Sequence, residues 1–539
     1  MRSDALPFHH PAAFWLGCIL MSGGVFAHVP MFAMGAQTHY HLAGMPMDAT
    51  MLLGMALIPI GLALSAYGLM PRLDRLRRAA TGAHSPEFHI ADRVPLGREH
   101  WTLVLAMAVA LAVDVMKPAT LGFVMPGMVS EYGISRQTGA LLALVALTGT
   151  TIGSVVWGRM ADLIGRRAAI LLSALMFIGT SICGAMPTFE WNLAMCFLMG
   201  TSAGGLLPIV FTLMAETIPA AHRGWLLVAL GGVGTSAGYL LAAGAATLLE
   251  PVFSWRSLWL MGLPTGALII ALNRWIPESP RFLASVGLGD AARAVLLRFA
   301  GNQPSAITVG APTGCNDPLS TEPRDAAGLR ALLRGRHAPI TLGLFVCGVA
   351  WGLANFGFLL WLPMTLAHLG VGAASANALL AQSAMLALPG IGVVIWLYQR
   401  WSSLKSLLLF IGLTAAALLV FGAMGAMQVQ SPIAAMAATV ALLVSISGVI
   451  SMLIPYAAEI YPVRLRGTGS GIIAASSKLG GIIGAGLGVI GFFEHFALSA
   501  VTIAVPMIVA ALLLLQSGIE TRGRRLEEIE KEFGEPGPN

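Results

Sequence analysis

Ala215-Glu216-Thr217-Ile218-Pro219-Ala220-Ala221-His222-Arg223-Gly224 returns later in the chain as Ala458-Glu459-Ile460-Tyr461-Pro462-Val463-Arg464-Leu465-Arg466-Gly467. Ala, Glu, Pro, Arg and Gly coincide at constant spacing. Each copy is a short polar turn between two long apolar stretches, so two similar halves use the same turn. Two halves repeated in parallel, with a cavity between them, suit a molecule that opens alternately to either side.

Composition says what surrounds those halves. Apolar residues make up 57% of the chain and charged residues 10%. A soluble domain carries about a quarter charged residues because its surface faces water. This chain must face lipid. A helix of about 20 apolar residues crosses a bilayer, and the sequence holds fourteen such stretches. Two come first, at 12–34 and 49–70, and twelve follow between 101 and 518. The first reads as a retained helix, because Arg2 and Asp4 precede it and no small-x-small cleavage site follows. The fold class is therefore all-α integral membrane, with twelve transmembrane helices in a 6+6 pseudo-repeat behind an N-terminal two-helix hairpin. The segments are a hairpin and linker (1–100), a six-helix domain (101–276), a linker (277–338), a second six-helix domain (339–518) and a tail (519–539). Within the second linker, residues 301–325 are rich in Pro, Gly, Ser and Thr and read as flexible.

The net charge of +6 invites nucleic acid as a partner, but the basic residues fall in short clusters between apolar stretches. With the N-terminus in the cytoplasm, 27 of the 31 lie on that side; only Arg136 and Arg256 lie outside, and two lysines lie within spans. The positive-inside rule then puts both termini in the cytoplasm, with a bacterial inner membrane as the expected location. The five cysteines are scattered, without the spacing of a disulfide framework or a zinc site. Phosphate-binding glycine loops, nucleophile elbows and metal-ligand pairs are missing from the sequence. The reading is a non-enzyme without cofactor, acting as a monomer and driven by an ion gradient.

Three further motifs sharpen this. Gly158-Arg159-Met160-Ala161-Asp162-Leu163-Ile164-Gly165-Arg166-Arg167 follows the second of the twelve spans, Pro277-Glu278-Ser279-Pro280-Arg281-Phe282-Leu283 follows the sixth, and Glu520-Thr521-Arg522-Gly523-Arg524-Arg525-Leu526-Glu527-Glu528 follows the last. With the duplicated turn, the chain from about 101 to 530 resembles the major facilitator superfamily, in particular its sugar and metabolite porters and its aromatic-acid and niacin-type proton symporters. The resemblance implies a cytoplasmic gating latch, shut when the cavity faces outward. Its members would be Gly158, Arg159, Asp162, Gly165, Arg166, Arg167, Glu216, Arg223, Glu278, Arg281, Glu459 and Arg466. The plainer account is that some of these arginines anchor helices to lipid headgroups. The second-half counterpart of the first loop, Tyr398 to Lys405, is degenerate and is assigned no role.

Three buried charges point to cargo. Asp114 and Lys117 lie mid-span in the first of the twelve helices and Lys478 mid-span in the eleventh. Charge at the bilayer centre costs roughly 3 kcal/mol per residue, so it faces a cavity and marks a pathway. At about 1.5 Å per residue, Asp114, thirteen residues past Trp101, and Lys478, eleven past Gly467, reach similar depths from the same side. The three groups sum to one surplus positive charge, which a small organic anion would balance. Asp114 is placed to carry a proton, and Lys117 and Lys478 to bind the anion. Aromatic-acid porters bear two acids three apart at this place; here Lys117 stands where the second would be. A fixed Asp114–Lys117 pair, or a snorkelling Lys478, is the bland alternative. Tyr239, Trp351, Asn355 and Gln382 are secondary substrate-binding candidates, each equally explained by helix packing.

The front hairpin concentrates His28, Met31, Met34, His39, His41, Met45, Met47, Met51 and Met55. Imidazole and thioether suit copper, but Met ordinarily fills apolar helices, and no metal site is assigned. The hairpin is expected to pack beside the carrier core, with Arg72 to Arg78 on the cytoplasmic leaflet. Proton-coupled symport of a small organic anion leads; efflux of drugs or metal ions, and a non-transporting sensor on the same fold, are the alternatives.

Overall fold

The computed structural model describes residues 10–69, 94–285, 288–301, 332, 337–368, 373–428, 431–461 and 463–521. Arg72 to Arg78, linker residues 302–331 (with Cys315) and 333–336, and the tail from Arg522 onward lie outside the described residues. So do the side chains of Asp162 and Arg466.

The chain opens with a hairpin of α1 (Pro11–Phe26), the short α2 (Val29–Met34) and α3 (Ala49–Leu69). Its seam is glycine at seven-residue spacing: Gly17 faces Gly61, Gly24 faces Gly54, and Gly68 closes on Phe14. A Cβ on Gly24 would sit 2.6 Å from the Gly54 carbonyl, and one on Gly61 would sit 2.7 Å from that of Gly17. Lipid supplies no hydrophobic drive between helices, so close backbone approach is what holds them. The hairpin then rests against the third span of the first half.

That half comprises α4 (Arg98–Tyr132), α5 (Arg136–Ile164), α6 (Arg166–Gly179), α7 (Phe189–Thr217) and α8 (Ala220–Phe253). A sixth span follows in two pieces, α9 (Ser257–Leu260) and α10 (Gly262–Leu272). Two short helices, α11 (Pro280–Ser285) and α12 (Gly289–Phe299), leave the membrane end, where Arg298 pairs with Glu99 at 2.5 Å. The second half begins with α13 (His337–Gly352), which runs through a π-helical segment, Leu353–Leu359, into α14 (Leu360–His368). It continues through α15 (Ala373–Arg400), α16 (Ser403–Ala426), α17 (Pro432–Ile460), α18 (Val463–Val489) and α19 (Phe496–Ser517). Hydroxyls start several of these helices. Ser135 accepts from the Thr138 N–H at 3.1 Å and Ser402 from that of Lys405 at 3.0 Å, each satisfying a donor the helix leaves open.

Among the described residues thirteen helices are long and apolar enough to cross a membrane, where the sequence reading counted fourteen. The difference is the sixth span of the first half, which is irregular at Met261, ahead of Gly262 and Pro264, although Met261 itself keeps helical dihedrals. The fold is otherwise as expected: twelve spans in two sixes, preceded by a two-helix hairpin.

The halves meet along α8, which packs on α15 and α17, and where α18 packs on α5. Midway, the Ser236 and Ser447 hydroxyls bond at 3.0 Å. At the end far from the Gly165 turn, Asn377 donates to Glu250 and Gln137 to Glu494, each at 2.5 Å. Gly122 lets α4 press on the Leu360 backbone of α14 near that end.

Candidate functional site

At the end carrying the repeated turns, the first motif folds around Gly165. Its φ of 101° favours glycine, and a Cβ there would collide with the Glu278 carboxylate and come within 3.0 Å of Phe282. Glu278, 3% exposed, accepts the backbone N–H groups that open α6: Arg166 at 2.8 Å and Arg167 at 3.4 Å, along with its neighbour Ser279 at 2.9 Å. A carboxylate on a helix N-terminus satisfies orphan donors and meets the positive end of the helix dipole. Burial nevertheless raises its pKa above the usual glutamate value, against those hydrogen bonds and the Arg166 charge, which pull it down. The Arg166 guanidinium reaches Glu216 at 3.7 Å, and Ser279 donates its hydroxyl to Glu216. Arg167 donates to Asn273 at 2.6 Å, and Arg223 to the Ile218 carbonyl at 3.2 Å. Gly158 borders open space; Arg159 and Arg281 are exposed.

The second half repeats the device. Glu459 accepts from Thr521 at 2.6 Å, as Glu216 does from Ser279, and also from Tyr398 at 3.0 Å. Glu520 accepts the Ser403 N–H at 2.9 Å and its hydroxyl at 2.6 Å at the start of α16, as Glu278 does for α6. Sequence reasoning missed Glu520, Ser403 and Tyr398 as members of this cluster. The signal was the doublet Glu-Ser at 278–279 returning as Glu-Thr at 520–521. These contacts each tie helices within one half.

The membrane centre holds the buried charges. Asp114 on α4 is 5% exposed; its Oδ1 has no hydrogen-bond partner among the described residues, and the carboxyl lies beside the Leu207 backbone of α7. Lys478 on α18, in the other half, is half-buried and interacts electrostatically with Asp114. The helices pass closely here. Gly234 and Gly238 of α8 lie against α4 at Leu111 and Val115, and Gly352 ahead of the π segment lies against the backbone of α18 at Ser477. Asp114 and Lys478 lie within electrostatic range of each other, with no hydrogen bond or ion pair between them among the described residues.

Lys117 is not brought with them. Its Nζ lies 5.3 Å from the centre of the Phe177 ring and against Gly262, with Cys183 and Cys196 within electrostatic range, all within the first half. The expected chamber shared by three charges is corrected to a pair, with Lys117 set apart. Residues three apart on a helix still differ by about 60° in direction, and here that turn carries Lys117 away from α18. Tyr239 is buried, its hydroxyl has no hydrogen-bond partner among the described residues, and its ring lies 5.8 Å from Phe123. Trp351 donates to the Ile446 carbonyl at 2.9 Å and so serves packing. Asn355 lies in the π segment, half-buried, and Gln382 is exposed. π-helical turns occur often at functional sites.

Comparison with known proteins agrees with this architecture. The chain is 26% identical to the niacin transporter NiaP of Acinetobacter baylyi over 449 residues, covering 81% of this chain and 98% of that protein. It is 27% identical to the 4-hydroxybenzoate transporter PcaK of Pseudomonas putida, covering 79% and 94% respectively. A solved structure of the proton:xylose symporter XylE superposes with a TM-score of 0.62 at 17% identity, over 80% of this chain and 99% of XylE, and shares its fold. The family model of the Major Facilitator Superfamily matches residues 103–485. With two six-helix halves, repeated polar turns and a family match over most of its length, this multi-pass membrane protein belongs to the Major Facilitator Superfamily of transporters.

Proposed function

We propose that the chain is a proton-coupled symporter of a small organic anion, a carboxylate or aromatic acid, working by alternating access between the halves 101–276 and 339–518. One observation carries the reading: Asp114 and Lys478 come from different halves and couple electrostatically at the membrane centre. A carboxylate arriving from solution competes with Asp114 for Lys478. Once Lys478 pairs with it, Asp114 loses its cation and takes up a proton, so that substrate and proton load together. Tyr239, whose buried hydroxyl has no hydrogen-bond partner among the described residues, is the secondary candidate best suited to this role, because a buried donor left without an acceptor is costly unless cargo fills it. The names of the relatives, transporters of niacin, 4-hydroxybenzoate and gallate, support the substrate class. The 27-to-2 bias of basic residues supports cytoplasmic termini in a bacterial inner membrane, with the Gly165 end inside.

The test is uptake into proteoliposomes of niacin, 4-hydroxybenzoate and aliphatic acids, with and without an inward proton gradient. Lys478→Ala should abolish uptake. Asp114→Asn should abolish gradient-driven accumulation while sparing exchange. Normal accumulation by either variant would refute the reading.

A further inference from the structure

Lys478 stands mid-membrane and is half-buried. A charge at that depth turns to water and not to lipid, so its uncovered side marks the chamber that receives cargo. Gly481 follows one turn along α18, farther from the Gly165 end. At about 100° per residue, Gly481 falls between Ser477, which faces Gly352 of the second half's first span, and Lys478. What stands on Gly481 therefore borders the Lys478 side of the helix. Phe356 stands there: a Cβ on Gly481 would come 2.8 Å from Cδ2 of its ring.

The ring is held in place. Phe356 belongs to the π-helical segment Leu353–Leu359, which α18 grips on either side of it. Gly352 lies against the Ser477 carbonyl, and a Cβ on Gly484 would lie 3.0 Å from the Gly357 Cα. Trp351, itself fixed by its bond to Ile446, meets the Phe356 ring edge-on, with centroids 5.8 Å apart at 88°. Even so, Phe356 is only half-buried. A seated, partly uncovered ring next to a cation is an arrangement for a ligand that is both apolar and anionic.

We propose that Phe356 is the specificity-determining residue of the cargo site, packing on the ring of a single-ring aromatic acid whose carboxylate meets Lys478. This rests on the symport reading and narrows its cargo from carboxylates in general to aromatic acids. Three residues of helix advance about 4.5 Å, which matches the reach from a carboxylate to the ring that bears it. Stacked and edge-on ring pairs gain free energy beyond the area they bury, a gain that an aliphatic acid of the same charge does not share. Gly481 serves the arrangement too. Its missing side chain lets the ring lie back on α18 and leaves the space in front to the cargo.

The experiment measures uptake of labelled 4-hydroxybenzoate and hexanoate, one monocarboxylate with a ring and one without, by proteoliposomes holding the full chain. The wild type should prefer 4-hydroxybenzoate. Phe356→Leu should raise its KM roughly tenfold while leaving its kcat, and both constants for hexanoate, unchanged. Phe356→Tyr keeps a ring and should hold the preference. Gly481→Ala crowds the ring from behind and should lower the preference too, which keeps the idea testable if Phe356→Leu fails to insert. An unchanged preference in Phe356→Leu or Gly481→Ala, or equal losses for both acids, overturns the proposal. A wild type that takes up no acid sinks the symport reading along with it, whereas uptake whose selectivity ignores Phe356 sinks this inference alone.

Discussion

Glu278 and Glu520 sit at the same place in the two halves, at the end that carries the repeated turns. Each receives the first backbone N–H groups of a helix across a turn, Glu278 those of α6 and Glu520 that of Ser403 in α16. Hydrogen bonds to a charged group are worth roughly 1.5–3 kcal/mol. Glu278→Ala and Glu520→Ala should therefore each lower the melting temperature, and the Gln variants, which keep an acceptor, should lower it less. Glu278 also makes a pH prediction. Its folded pKa is raised by burial, so the native state holds its proton more tightly than the unfolded chain does. Stability from this group is fully present below the ordinary glutamate range and declines as pH rises from there through the raised value. Glu278→Gln should flatten that slope in a melting series across pH. At this scale the sequence was partly legible. Matching depths put Asp114 and Lys478 within electrostatic range, but the direction of Lys117 depended on which neighbours α4 meets, and spacing along one helix does not encode that.

The front hairpin is the element with the most distinct construction. Its outer loop is fastened by Glu131, which accepts the Leu42 N–H at 2.8 Å and the Ala43 N–H at 3.1 Å. Arg256, 0% exposed, meets the same carboxylate at 2.7 Å and also donates to the Gly184 and Met186 carbonyls at 3.1 and 2.8 Å. Removing one partner of a buried ion pair costs about 3–5 kcal/mol. Arg256→Met should therefore destabilise the whole first half, measured by thermal melting, far more than loss of the exposed Arg159. The hairpin seam has its own test. Native Cys18 lies beside Ser65, so Ser65→Cys should cross-link to it under mild oxidation. Adding Gly61→Leu, which forces α1 and α3 apart, should reduce the cross-link yield several-fold. The spans themselves were legible because twenty apolar residues in a row have few other fates. The irregularity at Met261 was not, since Gly262 and Pro264 are common in membrane helices.

Across the whole molecule, the halves are joined at the far end by Asn377–Glu250 and Gln137–Glu494. Contacts formed in one conformation bias the equilibrium between conformations by their own free energy. Replacing both Gln137 and Asn377 by Ala should raise the fraction open at that end, read as faster alkylation of a cysteine placed at Ala119. The two-half plan was legible from a ten-residue repeat; these bridges were not, because their partners lie hundreds of residues apart and share no pattern. The glycine seam of the hairpin has a consequence for assembly. α1 and α3 leave the ribosome before any carrier helix is made, and their closure needs only each other. They can lock into one unit first and then offer the third span a ready wall during insertion. A chain shortened to begin at the carrier would keep the transport machinery and lose its early scaffold, so the defect would surface in the yield of inserted protein and not in turnover by the molecules that succeed.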